Sequence, residues 1–136
     1  MKIIVLIGRI LYSLIFMMAI LGHFKSDAIQ YASAHGVPMA NILVPFSGVL
    51  ALAGGVLIAF GYKARAGAWL LVIFLIPVTF MMHNFWNETD PARVQMQTSN
   101  FMKNMSLLGA ALLITWFGAG PLSLDELAKK KTTDRI

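Results

Sequence analysis

Charge is so unevenly spread along this chain that it divides the sequence before any other signal is considered. No Asp, Glu, Lys or Arg occurs between Asp27 and Lys63, between Arg65 and Glu88, or between Lys103 and Asp125. A helix crosses about 30 Å of hydrocarbon with about 20 residues at about 1.5 Å each, and each interval holds such a stretch. The expected spans are 39–60, 66–82 and 101–118, with another apolar run at 3–22 interrupted only by Arg9. Backbone N–H and C=O groups in lipid must be paired internally, so each run is expected to be a helix. The predicted fold is an all-α membrane protein, a four-transmembrane-helix bundle forming a single domain over 1–136.

Composition agrees. Of 136 residues, 58% are hydrophobic and 12% charged, against roughly 45–50% and 25% in soluble domains. Mean hydropathy is +0.73, more apolar surface than so small a soluble interior can hide. Disorder, a disulfide scaffold and an ordinary soluble enzyme are poor fits, and the chain has no Cys. A cleaved signal peptide competes for the first run, with Ala32-Ser33-Ala34 as an A-x-A site. That site lies well beyond the apolar stretch, so the segment is read as a span.

With four spans, both termini share a side with the turn at 61–65. Lys2, Arg9, Lys63, Arg65, Lys129, Lys130, Lys131 and Arg135 fall there, leaving Lys25, Arg93 and Lys103 opposite. The positive-inside rule puts both termini, including the basic tail 125–136, in the cytoplasm. The same bias accounts for the net charge of +5, so no nucleic-acid surface is read from it. The tail can also rest on anionic headgroups. On the other side, Ser26-Asp27 are good N-cap types, Gly36 a good C′ residue, and Pro38 blocks continuation, so a short interfacial helix is expected between spans 1 and 2. The connection 83–100 reads as a long polar loop.

Ser47, Ala51, Gly55 and Ala59 recur every four residues and present one small-residue face, which suits close helix packing or docking of another membrane protein. Pro45 and Pro77 should loosen their helices. The nine Met residues follow no shared spacing and are read as gap-fillers.

Polar residues within or beside the spans are the candidate site. Arg9 either snorkels to headgroups or turns inward to backbone carbonyls or an anionic ligand head. At the outer end, topology gathers His23 and Lys25 from the first span, His83, Asn84 and Trp86 from the third, Asn100, Lys103 and Asn104 from the fourth, and Glu88 and Gln95 from the loop. Two imidazoles, an ammonium, a carboxylate and amides could hold a quinone, with Trp86 or Phe85 stacking on its ring and a His carrying protons. Equally, Trp, Asn and Lys at helix ends are ordinary interface anchors. No metal-ligand spacing is present, so no metal site is expected.

Gly8-Arg9-Ile10-Leu11 with Phe16, Gly22 and Lys25, followed by His83-Asn84-Phe85-Trp86, Gln95, Phe101, Lys103-Asn104 and Leu107-Leu108-Gly109, resembles the DoxX family over nearly the whole chain. The resemblance implies a small bacterial inner-membrane protein associated with quinone-linked oxidoreductases. It would carry over Arg9, Lys25, His83, Asn84, Trp86, Lys103 and Asn104 as its matching positions. Without Cys, the chain cannot itself do dithiol chemistry. Two functions follow as expectations: a membrane subunit or accessory protein of a quinone-linked oxidoreductase, or a non-catalytic scaffold docking other membrane or redox subunits, with a homo-oligomer open to either. A carrier built on inverted repeats finds no internal symmetry here.

Overall fold

The computed structural model describes residues 1–134; Arg135, counted above in the basic tail, lies outside them. Among the described residues the regular structure is entirely helical: α1 Lys2–His23, α2 Ser26–Ala34, α3 Ala40–Phe60, α4 Ala64–Met82, α5 Pro91–Phe117 and α6 Leu124–Thr133, with a 3-10 turn at Phe85–Asn87. In space α1 packs on α3, α3 on α4 and α4 on α5, while α2 lies against α3.

Three helices are long and apolar enough to cross a bilayer: α1, α3, and α4 with its 3-10 extension. Only 17% of the apolar window of α1 is buried by protein, so most of that helix faces its solvent, as a helix surrounded by lipid does. The expected count of four strongly apolar spans is corrected to three among the described residues. Residues 101–117 are the C-terminal part of a 27-residue helix that begins with polar residues, and Lys103, Asn104 and Ser106 leave it less apolar than α1, α3 and α4. The loop expected over 83–100 is corrected too, because its last ten residues are helical. Pro91 occupies the first turn, where its missing N–H costs nothing. The Asp90 carboxylate caps the helix by accepting from the Arg93 N–H at 3.0 Å.

α2 ends in a Schellman motif. Gly36 has φ +81°, its N–H donates to the Ser33 carbonyl, and the Val37 N–H donates to that of Ala32, both at 3.1 Å. At its other end Lys25, not Ser26, is the cap residue, and it makes no side-chain capping bond. Asp27 instead places its charge in the first turn, where the helix dipole favours it.

The core is small, centred on Phe16, Ala51, Ile58, Leu71, Phe74 and Leu75. One close crossing beside it is glycine on glycine. A Cβ on Gly54 would lie 2.8 Å from the Gly67 carbonyl oxygen, and one on Gly67 would lie 3.0 Å from that of Gly54, so α3 and α4 touch backbone to backbone. Of the small-residue face, Ala51 is fully buried, and a Cβ on Gly55 would meet Ser13, Phe16 and Met17 of α1 at 3.2 Å. The Ser47 hydroxyl bonds back to the Val44 carbonyl, and the Ala59 carbonyl accepts from Arg9. At Gly55 and Ala59 this face meets α1 within the same chain.

Candidate functional site

An apolar cavity of about 810 Å³ opens at the end of the bundle carrying α2. Its walls come from the last turns of α1, from α2, from the N-terminal half of α3 and the C-terminal half of α4, and from Met96 and Gln97 of α5. Pro77 contributes to the wall and also withholds the N–H that would bond the Ile73 carbonyl, one turn back on the same wall. α2 roofs the cavity, and Ala32 on its inner face is fully buried.

The cavity's polar groups are few and connected. His83, at the C-terminal cap of α4, donates from Nδ1 to Gln97 Oε1 at 2.8 Å. Gln97 Nε2 donates to the Tyr31 hydroxyl at 2.9 Å, and that hydroxyl donates to the Met82 carbonyl at 3.4 Å. Because a carboxamide oxygen only accepts, His83 carries its proton on Nδ1, leaving Nε2 without a hydrogen-bond partner among the described residues. Tyr31 is also stacked on His35 at 4.0 Å between ring centres. His23 lines the same cavity. Its Nδ1 donates to the Ala19 carbonyl at 2.6 Å, and a Cβ on Gly48 would lie 2.6 Å from the His23 Cβ, so only glycine leaves room for it.

The structure divides the candidate residues predicted from sequence. His23 and His83 share the cavity. Lys25 is exposed at the start of α2. Asn84 caps the 3-10 turn and Glu88 follows it, both partly buried. Trp86 packs edge-on against Phe101 at 5.8 Å, in an aromatic cluster with Phe80 and Phe85 outside the cavity. Lys103 is exposed, with Nζ 3.4 Å from Asn100 Oδ1. Asn104 is buried on the α5 face that also carries Gln97 and Ala111.

Arg9 belongs elsewhere. It is 6% exposed and closes the opposite end of the bundle: Nε donates to the Ala59 carbonyl at 3.2 Å, Nη1 to Ala119 at 2.8 Å and Pro121 at 3.3 Å, and Nη2 to Leu122 at 2.7 Å. The guanidinium thus ties α1 to the end of α3 and to the segment after α5. Asp125 completes this knot. Its two carboxylate oxygens accept from the N–H groups of Lys63 and Ala64 at 2.8 and 3.0 Å, capping α4.

Sequence reasoning missed Tyr31 and Gln97. Gln97 had a signal, since 97, 104 and 111 repeat every seven residues and mark one helix face. No cluster of three or more His, Cys, Asp or Glu side chains lies together among the described residues.

A helical membrane protein with an apolar cavity at one end and a buried arginine knot at the other is the class that fold and site define. Comparison with known proteins gives the family. The SURF4 family profile matches residues 1–132, and the chain belongs to that family. It is 32% identical over 90% of its length to the inner membrane protein YphA of Escherichia coli, covering 89% of that protein. It is 33% identical over 93% to YqjF of the same organism, covering 93% of it. The ER-derived vesicles protein ERV29 of Saccharomyces cerevisiae is 35% identical over 63% of the chain, which spans 27% of ERV29. No solved structure matches significantly. The resemblance to DoxX is thereby overturned, because residues 1–132 match SURF4. The protein is a multi-pass protein of the bacterial inner (plasma) membrane, as these relatives are. The expected link to an oxidoreductase rested on the outer polar cluster together with the DoxX resemblance, and none of these relatives supports it.

Proposed function

We propose that the protein is a membrane-embedded binding protein whose outer cavity holds an amphiphile, with its apolar tail between α3 and α4 and its hydrogen-bonding head at His83, Gln97 and Tyr31. The observation that carries this reading is the coincidence of an 810 Å³ apolar cavity with one connected polar chain at its edge. The volume falls within the roughly 300–1,000 Å³ of small-molecule sites. An isoprenoid quinone and an acyl lipid share this chemistry. Native mass spectrometry of gently extracted protein, supplied with ubiquinone in one arm and phosphatidylethanolamine in the other, tells them apart. One of the two is retained, and Leu50→Trp, which fills the cavity, abolishes retention. Gln97→Leu, which breaks the polar chain, weakens it about tenfold. Retention unaltered by both substitutions overturns the reading.

The same reading includes a topology: α5 crosses the bilayer as a fourth, more polar span, and both ends of the chain face the cytoplasm. Its support is geometric. α5 starts beside His83 at one end of α4, and the segment following it caps the other end through Asp125, so α5 travels the full length of an apolar span. The polar groups it brings are partly hidden, with Gln97 and Asn104 buried against the bundle. The excess of basic residues at the knot end favours the cytoplasm for that end.

A further inference from the structure

A second cavity, of about 760 Å³, lies at the knot end between the start of α4, the end of α5 and α6. Three cations line it: Lys63, Arg65 and Lys129. Two acids line it as well, but both are engaged. Asp125 caps α4 with both oxygens. Glu126 accepts from the Leu122 N–H at 2.8 Å and pairs with Lys130 at 3.7 Å. That pair is the only salt bridge among the described residues, so the three lining cations have no carboxylate partner. Lys63 Nζ stands 5.5 Å from the Tyr62 ring centre, a cation–π contact in place of a carboxylate partner. The Arg65 side chain passes close to Gly118, where a Cβ would be 3.5 Å from its Nε.

The surroundings of this cavity fix its depth. Phe117 and Ala66 form part of its wall. Phe117 is 73% exposed, its chain neighbour Trp116 is 76% exposed, and Trp69, near the start of α4, is 54% exposed. Exposed Trp at the end of an apolar helix marks the headgroup level of a bilayer. Three unpaired cations around a recess at that level, with an apolar wall on the lipid side, suit a phosphate joined to acyl chains. We infer that this cavity is a binding site for the headgroup of an anionic phospholipid. Phosphate oxygens would meet Arg65 and the two lysines, while the glycerol region lies against Phe117.

The test uses the full-length protein in nanodiscs of equal phosphatidylglycerol and phosphatidylcholine, released for native mass spectrometry. Phosphatidylglycerol is retained over phosphatidylcholine by about fivefold or more, the scale of one basic residue near an anionic surface. Lys63→Gln/Arg65→Gln loses the preference. Lys2→Gln/Lys131→Gln, with the same charge change at the same end but outside the cavity and with the Glu126–Lys130 pair left intact, keeps it. Arg65→Gln alone, at an exposed residue with no hydrogen bond among the described residues, reduces the preference without threatening the fold. Equal losses in the two double variants mean diffuse attraction and overturn the site, as does no loss in either. Displacement of the lipid by millimolar inorganic phosphate would mean a free-anion site and overturn the lipid assignment.

Discussion

Arg9 and His83 are both polar side chains set into an apolar bundle, yet what surrounds each gives them opposite roles. Every Arg9 nitrogen donates to a carbonyl of the protein, so four of its five N–H donors are already taken. His83 uses one ring nitrogen on Gln97 and keeps the other free beside a cavity. Arg9→Lys tests the first role. A single ammonium cannot reproduce a fork reaching Ala59 and Leu122 together, and the loss of bonds to a charged donor should destabilise the fold by about 3 kcal/mol in thermal or denaturant unfolding in detergent. A stability within experimental error of the parent would refute it. Sequence alone offered two readings of Arg9, snorkelling or turning inward, and could not choose. The Ala119 carbonyl that receives it is 110 residues away, and nothing local announces that meeting. His23 and His83 were legible because topology alone puts both at one end.

Among the elements, the apolar spans were easy to read because lipid leaves no alternative to a helix, whereas α5 and α6 were obscured by their polarity. Their caps were nonetheless written in the chain. Asp90-Pro91 opens α5, and Ser123 accepts from the Glu126 N–H at 3.1 Å to open α6. The Glu126 carboxyl returns to the Leu122 N–H, which holds it below the usual carboxylate range. A depressed folded value contributes stability above the ordinary Glu pKa of about 4.3 and loses it as pH falls through the folded value. Amide exchange in α6 should therefore be insensitive to pH-linked loosening above about pH 5 and should show it in acid. Glu126→Gln should remove that dependence. Helix contact makes a separate prediction at Gly54. Gly54→Leu forces its side chain into the Gly67 carbonyl and should cost about 1–3 kcal/mol or more, while Gly109→Ala, with nothing within 4 Å of the new methyl, should be neutral or slightly stabilising. Comparable melting temperatures for the two variants would contradict the close crossing.

At the scale of the whole molecule, the absence of Cys makes topology directly measurable. Single cysteines at Tyr62 and Lys131 should react with a membrane-impermeant maleimide only after the inner membrane is opened, and one at Asn87 should react in intact spheroplasts. Labelling of 62 and 87 from the same side would refute the arrangement. The DoxX resemblance shows why short motifs mislead here. Small residues at helix contacts, basic residues at cytoplasmic ends and aromatic residues at helix ends recur in membrane bundles for reasons of lipid and interface chemistry. Only agreement along the whole chain separates one such family from another.

The arginine knot also sets an order of events during synthesis. Arg9 leaves the ribosome in the first helix, long before the carbonyls of Ala119 and Leu122 exist. Until the last helix is laid down, that guanidinium must borrow water or headgroups, so a nascent chain is incomplete in a way that membrane quality control can sense. Chains ending before Gly118 should insert yet be degraded quickly, and pulse-chase turnover of such truncations against Arg9→Leu versions of the same length would reveal whether the unmet arginine is the signal.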